Sequence, residues 1–411
     1  MVEKKLPFTH EKIEEIAKEF GTPIFVYDEA GIRENCKRLA EVYSWSIDYK
    51  NYFAVKANST PAMLRIIESE GMGFDCGNMN ELKLLKRYGL GENGIFFTSN
   101  NTADEGYRFA EKMGATINVD KEEFVTQVEN ALGKLPKKMA IRYNPGEVKS
   151  GNSIIGDPIK AKFGETKEGV LKAVKQMFDG GVEEIGLHTM VVSNEKNPEY
   201  FGDTARLLRE LADEIKSTHN IAVAFINIGG GVGLSYHEND PAIDLESIGA
   251  AVKEHLEDLN IPIVSENGRY VTGDHGYMLT RVTNGIVESY DRFLQVDTSI
   301  NNLVRLATVT AAYHYLEILG KKDDETEVMT VVGSMCANTD RMFKDRNLPK
   351  TARAGDLMVI FDVGAHSRVN SHNYNSLLRA GEVLVTKSGD TKLIRRHETL
   401  DDLFATIKED A

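Results

Sequence analysis

The sequence predicts an α/β protein of two domains: a (β/α)8 TIM-type barrel and a second, antiparallel β domain formed mainly by the C-terminal part. Three observations lead there. The 411 residues exceed what one ordinary core holds and suit two domains. From about residue 50 to residue 265, short apolar runs alternate with amphipathic helical patterns. After about residue 270 the texture changes to short β-branched runs punctuated by Gly and Asp.

The apolar runs give eight candidate strands, at 52–56, 74–76, 95–98, 116–119, 139–144, 184–188, 223–228 and 261–266. Helical patterns fall between most of them, at 61–70, 80–88, 105–113, 167–178, 198–217 and 245–256. In the second of these, Leu82, Leu84, Leu85 and Tyr88 recur near helical spacing and Gly89 supplies a C-cap. Eight strands alternating with helices favour a closed barrel over an open doubly wound sheet. Beyond residue 270, the runs GYMLTRVTNGIVES, EVMTVVG, DLMVIFDVG and EVLVTKSGDTKLIRR read as antiparallel strands, and a helical pattern closes the chain at 400–408.

Composition narrows the class of function. Hydrophobic residues make up 41% and charged residues 27%, the usual range for a globular protein. A net charge of −14 argues against a nucleic-acid partner or an anionic membrane surface. The N-terminal MVEKKLPFTHEK does not lead into an apolar stretch, and no run approaches membrane-spanning length, so neither a secretory signal nor a membrane span is expected. Cys36, Cys76 and Cys336 are odd in number and far apart, so neither a disulfide framework nor a metal site is expected. A cytoplasmic location fits these features.

In a barrel of this kind, chemistry sits at the C-terminal ends of the strands. Lys56 ends the first apolar run, where partial loss of solvation makes a lysine an amine nucleophile toward an aldehyde. On its own, such a lysine is more often a solvated strand end. Gly229, Gly230, Gly231 and Gly233 follow the run at 223–228, and glycines there let backbone N–H groups approach a phosphate. Glu266-Asn267-Gly268-Arg269 follows the last barrel strand. A carboxylate beside a pyridine nitrogen keeps it protonated, and an arginine nearby binds phosphate or carboxylate in a fork.

These segments belong to a series that runs along nearly the whole chain. It comprises Phe20-Gly21-Thr22-Pro23 with Tyr27-Asp28, Ala54-Val55-Lys56-Ala57-Asn58, Phe74-Asp75-Cys76, Arg142-Tyr143-Asn144-Pro145 and Lys162-Phe163-Gly164. The glycine run, Glu266 to Arg269, Cys336, Gly364-Ala365, Tyr374-Asn375 and Glu382-Val383-Leu384-Val385 complete it. In order and spacing the series resembles the fold-type-III pyridoxal-phosphate decarboxylases, specifically the diaminopimelate decarboxylase branch, related to eukaryotic-type ornithine decarboxylase. With that resemblance the barrel spans 30–272, and 1–29 with 273–411 form the β domain.

The resemblance implies a cofactor, pyridoxal 5′-phosphate, and roles for particular residues. Lys56 would carry the cofactor and Glu266 would pair with its pyridine nitrogen. Gly230, Gly231, Arg269 and Tyr374 would hold its phosphate, and Asp75 and Arg142 would lie around the ring and the lysine. Members of the family are homodimers with shared active sites, so Cys336 of one copy would enter the site of the other and protonate the carbon that CO2 leaves. The implied reaction is decarboxylation at a D-configured α-carbon, meso-diaminopimelate to L-lysine or a close relative.

Several positions depart from the family pattern. The family's histidine that stacks on the ring aligns with Met190, with His188 two residues earlier, so either a thioether or His188 faces the cofactor. The glutamate that recognises the distal amino group is replaced by Ala337, and a tyrosine for the distal carboxylate by Val309, while Arg305 of the same segment remains. Asn267 stands for a proline and His366 for a tyrosine. Arg305 and Asp340 are therefore candidate substrate residues: Arg305 for a distal anion, Asp340 for an ammonium. The alternative substrates are D-lysine or D-ornithine, giving a diamine. Amino-acid racemisation on the same two-domain fold is a further alternative. A pyridoxal-phosphate carrier would have the barrel alone.

Overall fold

The computed structural model describes residues 3–151, 154, 157–309 and 312–408. It contains two compact units, one of Met1–Ile32, Ser235–Ala242 and Thr272–Ala411, the other of Arg33–Leu234 and Ile243–Val271. A helix, His10–Phe20, and strand β1 (Ile24–Asp28) open the first unit.

The second unit holds strands β2 (Lys50–Ala54), β3 (Gly73–Cys76), β4 (Ile95–Thr98), β5 (Thr116–Val119), β6 (Lys138–Tyr143), β7 (Glu184–Thr189), β8 (Phe225–Asn227) and β9 (Ile263–Ser265). Each pairs in parallel with the next and β9 returns to β2, so the sheet closes into a barrel. Parallel neighbours need crossovers, and seven helices supply them: Pro61–Ser69, Met79–Tyr88, Asp104–Lys112, Glu123–Leu132, Lys167–Asp179, Pro198–His219 and Leu245–Leu256. The second shows how the local sequence sets its ends. Asn78 caps it by accepting from the Asn80 and Glu81 amides, and Gly89 terminates it in the left-handed conformation. The helix at Glu123–Leu132 has no counterpart among the sequence patterns, because only Val125, Val128 and Ala131 bury themselves along it.

The inside of the barrel is layered. Tyr52, Phe96, Ala140 and Phe225 pack together from the alternate strands β2, β4, β6 and β8, joined by Val264 of β9. Ring centroids lie 4.7 Å apart for Tyr52–Phe96 and 5.9 Å for Phe96–Phe225. Side chains on one face of a strand recur every second residue. Two residues beyond that apolar layer the same inward positions carry Thr98, Arg142, Asn227 and Glu266, joined by Asp75, Asn118 and His188 from the remaining strands. The period-2 rule thus lays a polar floor at the C-terminal ends of the strands, above a largely aromatic plug.

The first unit is built on a nine-stranded sheet. After the barrel come β10 (Gly276–Glu288), β11 (Arg292–Val296), β12 (Leu316–Ile318), β13 (Thr326–Val332), β14 (Arg341–Pro349), β15 (Leu357–Ile360), β16 (Gly381–Val385) and β17 (Thr391–Arg395). The main path runs β14-β13-β11-β10-β1-β16-β17, with β15 joining β10 to β12. Most pairs are antiparallel, but β1–β16 and β11–β13 are parallel, so the sheet is mixed rather than purely antiparallel. The central strand β1 is buried along all five residues, and Ile13 and Ile16 of the first helix pack on it with Tyr277, Val359 and Val383. The closing helix is shorter than its sequence pattern, Leu400–Phe404, and starts from a Thr399/Asp402 capping box. Among the described residues no helix is long and apolar enough to cross a membrane, and no group of His, Cys, Asp or Glu is arranged to hold a metal ion.

Candidate active site

The polar floor of the barrel is a hydrogen-bonded network. Glu266, just past β9, is its centre and is 8% exposed. Its Oε1 accepts from Asn227 Nδ2 at 2.7 Å, and its Oε2 lies 3.3 Å from His188 Nε2. The latter is ion-pair range, although it is off line for a hydrogen bond. His188 is fully buried, and its Nδ1 sits 2.7 Å from Asn118 Nδ2. With the amide nitrogen donating to Nδ1, the imidazole proton is left on Nε2, toward Glu266. Burial would raise the pKa of Glu266, but the His188 imidazole, the Asn227 amide and the Lys56 charge outweigh it and hold the carboxyl below its usual range.

Asp75 ends up opposite in character. Burial first, then the negative charge of Glu266, push its carboxyl well above the normal value against the pull of Lys56. Its Oδ1 is buried without a hydrogen-bond partner among the described residues. One carboxyl is thus kept ionised and its neighbour is driven toward the protonated form. Arg142 of β6 completes the floor. It donates from Nη2 to the Met190 carbonyl at 2.8 Å, reaches Asp120 at 3.4 Å, and lies 4.8 Å over the Phe163 ring.

Lys56 is the exposed member of this set. It does not lie in the strand: β2 stops at Ala54, and Lys56 stands in a 3-10 turn, Val55–Ala57, with Val55 and Ala57 buried on either side. The strand expected at 52–56 is therefore two residues short at this end, since β2 pairs with β3 only through Ala54.

The glycine run is tied to the acidic segment from both sides. Gly229 donates to Asn227 Oδ1 at 2.9 Å and its carbonyl accepts from the Glu266 amide at 2.8 Å. A Cβ at Gly230 would sit 2.5 Å from the Glu266 carbonyl oxygen, so only glycine allows this approach. Asn51 clamps Asn267 from β2, accepting its amide at 2.8 Å and donating to its carbonyl at 3.1 Å. Asn267 has an N–H that proline lacks, and Asn51 takes it up. Arg269 reaches Ser193 Oγ at 3.5 Å. Met190 follows β7; its sulfur accepts from the Gly230 amide at 3.3 Å.

The remaining candidates fall in the other unit. Cys336 and Tyr374 are exposed, Tyr374 at 60%. Arg305 is buried, its guanidinium 4.1 Å over the Tyr236 ring and its Nη1 donating to the Tyr313 carbonyl at 3.3 Å. Asp340 corrects the sequence expectation. It is 3% exposed, and it spends Oδ1 on the Ile300 amide and Oδ2 on the Met335 amide, each at 2.8 Å. Its oxygens brace backbone amides rather than standing open to a substrate ammonium. Ala337 and Val309 are half-buried.

These side chains fit a pyridoxal phosphate. The amides of Gly230 and Gly231 beside Arg269 suit a phosphate, ionised Glu266 suits a protonated ring nitrogen, and Lys56 suits an aldehyde carbon. Sequence reasoning missed Asn118, Asp120, Asn227 and Asn51. None belongs to a motif; the only available signal was a polar residue in an inward slot of an apolar strand.

Comparison with known proteins follows the same lines. The family model for the pyridoxal-dependent decarboxylase pyridoxal-binding domain matches residues 29–273. Protein TabA of Pseudomonas amygdali pv. tabaci is 34% identical over 400 residues, covering 96% of this chain and 93% of that protein. The diaminopimelate decarboxylase of Methanothermobacter thermautotrophicus is 33% identical over 400 residues, covering 95% and 92%. The crystal structure of diaminopimelate decarboxylase from M. jannaschii superposes with a TM-score of 0.89 at 27% identity, over 96% of this chain and 94% of that one.

Proposed function

This chain belongs to the pyridoxal-dependent decarboxylases, and we propose that it removes the carboxylate from a D-configured α-carbon, that of meso-diaminopimelate or a close relative. It is a pyridoxal-phosphate lyase of the diaminopimelate decarboxylase type. The observation that carries the reading is Glu266, kept ionised in a buried site by His188 and Asn227.

When bound, the cofactor supplies an electron sink for the pair that the departing carboxylate leaves. The residues of this chain serve that chemistry in separate ways. Lys56 would offer the amine that holds the cofactor. Glu266 keeps a proton on the ring nitrogen, and His188 holds Glu266 in place from below. The amides of Gly230 and Gly231, with Arg269, would bind the phosphate. Arg142 and Asp75 would lie around the ring and Lys56. The thiol of Cys336 delivers the proton to the α-carbon. Following the family resemblance, we propose a homodimer as the working form, in which each site takes Cys336 from the second copy.

Arg305 favours a substrate with a distal anion, as in meso-diaminopimelate. Ala337 and Val309, where relatives in the family carry glutamate and tyrosine, favour a different distal group and support D-lysine or D-ornithine as the second reading. The test is CO2 release from meso-diaminopimelate, D-lysine and D-ornithine, with chiral analysis of the recovered substrate. Release of CO2 with formation of L-lysine or a diamine supports the proposal. Epimerised substrate without CO2 makes the enzyme a racemase instead.

A further inference from the structure

The turn that carries Cys336 is held by side chains. Three successive backbone amides donate to three side-chain oxygens: Ser334 to Ser299 Oγ at 2.8 Å, Met335 to Asp340 Oδ2 at 2.8 Å, and Cys336 to Asn375 Oδ1 at 2.7 Å. The first contact ties the turn to the segment after β11, and the second to Asp340, which lies just before β14. Asp340 also takes the Ile300 amide, and a Cβ at Gly333 would meet Ser299 Oγ at 2.3 Å and Asp340 Oδ2 at 2.6 Å.

The third contact comes from elsewhere. Asn375 follows Tyr374 and adopts the left-handed conformation, φ 61°, as does Ser376 at φ 55°. Asparagine is one of the few residues besides glycine that accept it readily. The segment is fixed around them. Tyr374 donates its amide to His372 Nδ1 at 3.1 Å, Ser376 donates to the Asn373 carbonyl at 3.0 Å, and Asn373 Nδ2 reaches Glu398 at 2.7 Å. A backbone conformation of this kind persists only when the surroundings enforce it. Here it turns the Asn375 side-chain oxygen Oδ1 onto the amide of Cys336.

We propose that Asn375 is a positioning residue for the Cys336 thiol, and that it couples thiol placement to the neighbouring Tyr374. The inference rests on Cys336 being the proton donor. In that step the S–H bond of Cys336 breaks as a C–H bond forms to the pair left by CO2, and the thiolate regains its proton from solvent. The face of the α-carbon that receives the proton depends on where the thiol is held. Without the Asn375 acceptor the Cys336 amide turns to water, the thiol is no longer aimed, and water protonates either face.

The test is decarboxylation in D2O by the holoenzyme, with the configuration of the α-deuterated product read by NMR. Wild type places deuterium on one face. Asn375→Gly keeps the left-handed backbone and removes the acceptor, so it gives deuterium on both faces, whereas Asn375→Asp keeps an acceptor and retains one face. Asn375→Ser, too short to reach, repeats the Asn375→Gly result if glycine unfolds the segment. In cofactor-free protein, alkylation of Cys336 by iodoacetamide is about fivefold faster in Asn375→Gly, the factor carried by one net hydrogen bond. Single-faced product and unchanged alkylation in both acceptor-free variants overturn the proposal. The control is Cys336→Ala: if it too gives one face, the donor assignment fails and takes the proposal with it, whereas scrambling in Cys336→Ala alone condemns only the role of Asn375.

Discussion

The barrel unit and the β unit present their reactive groups by different means. Lys56 stands on a 3-10 turn between two buried residues, continuing a strand of a closed ladder. Cys336 stands on a turn whose amides are satisfied one by one by Ser299, Asp340 and Asn375. A backbone ladder tolerates exchange of single side chains, while a side-chain cradle depends on each member. The departures from the family sort accordingly. In the barrel, Met190 still offers its carbonyl to Arg142, and Asn267 finds Asn51 for its extra N–H. In the β unit, Ala337 and Val309 stand where the family resemblance places a glutamate and a tyrosine for the substrate. In the proposed function, cofactor chemistry is lodged where the backbone supports it, and substrate choice where individual side chains decide.

The sharpest way to break that comparison is Lys56→Ala. We expect loss of all turnover and of borohydride-trapped cofactor; covalent trapping at another lysine, seen by peptide mapping, would contradict it. Glu266→Gln comes next. It keeps the Asn227 contact but loses the charge that holds the ring nitrogen protonated. A fall in kcat of about a hundredfold or more is expected, the scale for one preorganised electrostatic contact. Cofactor absorbance should be retained, because the phosphate contacts remain. Wild-type turnover would mean that another group protonates the ring.

The β unit should respond in specificity rather than in cofactor binding. On the second reading, D-lysine or D-ornithine has a higher kcat/KM than meso-diaminopimelate in the unmodified enzyme. The double substitution Ala337→Glu, Val309→Tyr should move preference toward meso-diaminopimelate by roughly tenfold or more, since a charge-assisted hydrogen bond is worth about 1.5–3 kcal/mol. A wide preference for meso-diaminopimelate before any substitution would show that other residues recognise the distal group. The smallest effect concerns assembly. Mixing inactive Lys56→Ala with inactive Cys336→Ala chains should restore about a quarter of the sites, one in each mixed dimer, if the sites are shared. No recovery, with subunit exchange demonstrated by mass, would place Lys56 and Cys336 of one chain in the same site.

Much of the barrel is legible in the sequence because its strands are short apolar runs bounded by polar helices. The strands at Ile95–Thr98 and Thr116–Val119 and the helix at Leu245–Leu256 coincide with their patterns to the residue. The helix Glu123–Leu132 is not legible, since three small buried positions make a faint stripe. The two parallel pairings of the β unit are not legible either, because strand patterns carry no direction. At the site, Lys56, the glycine run and Glu266 stand out because motifs surround them. Asn118 and Asn227 do not: Asn227 lies two residues beyond the apolar layer and Asn118 joins that level from β5, which is visible only once the strands are paired. Asp340 misleads because a carboxylate near a reactive cysteine looks like a partner for an ammonium. The fold gives it two backbone amides instead.

The central claim is decarboxylation at a D-configured α-carbon, and the most direct measurement is kcat/KM for CO2 release across paired stereoisomers. The pairs are meso- against LL-diaminopimelate, D- against L-lysine, and D- against L-ornithine. The account expects CO2 from the meso compound or from a D-amino acid, with no measurable release from the LL and L isomers. Faster release from LL-diaminopimelate, L-lysine or L-ornithine would contradict it.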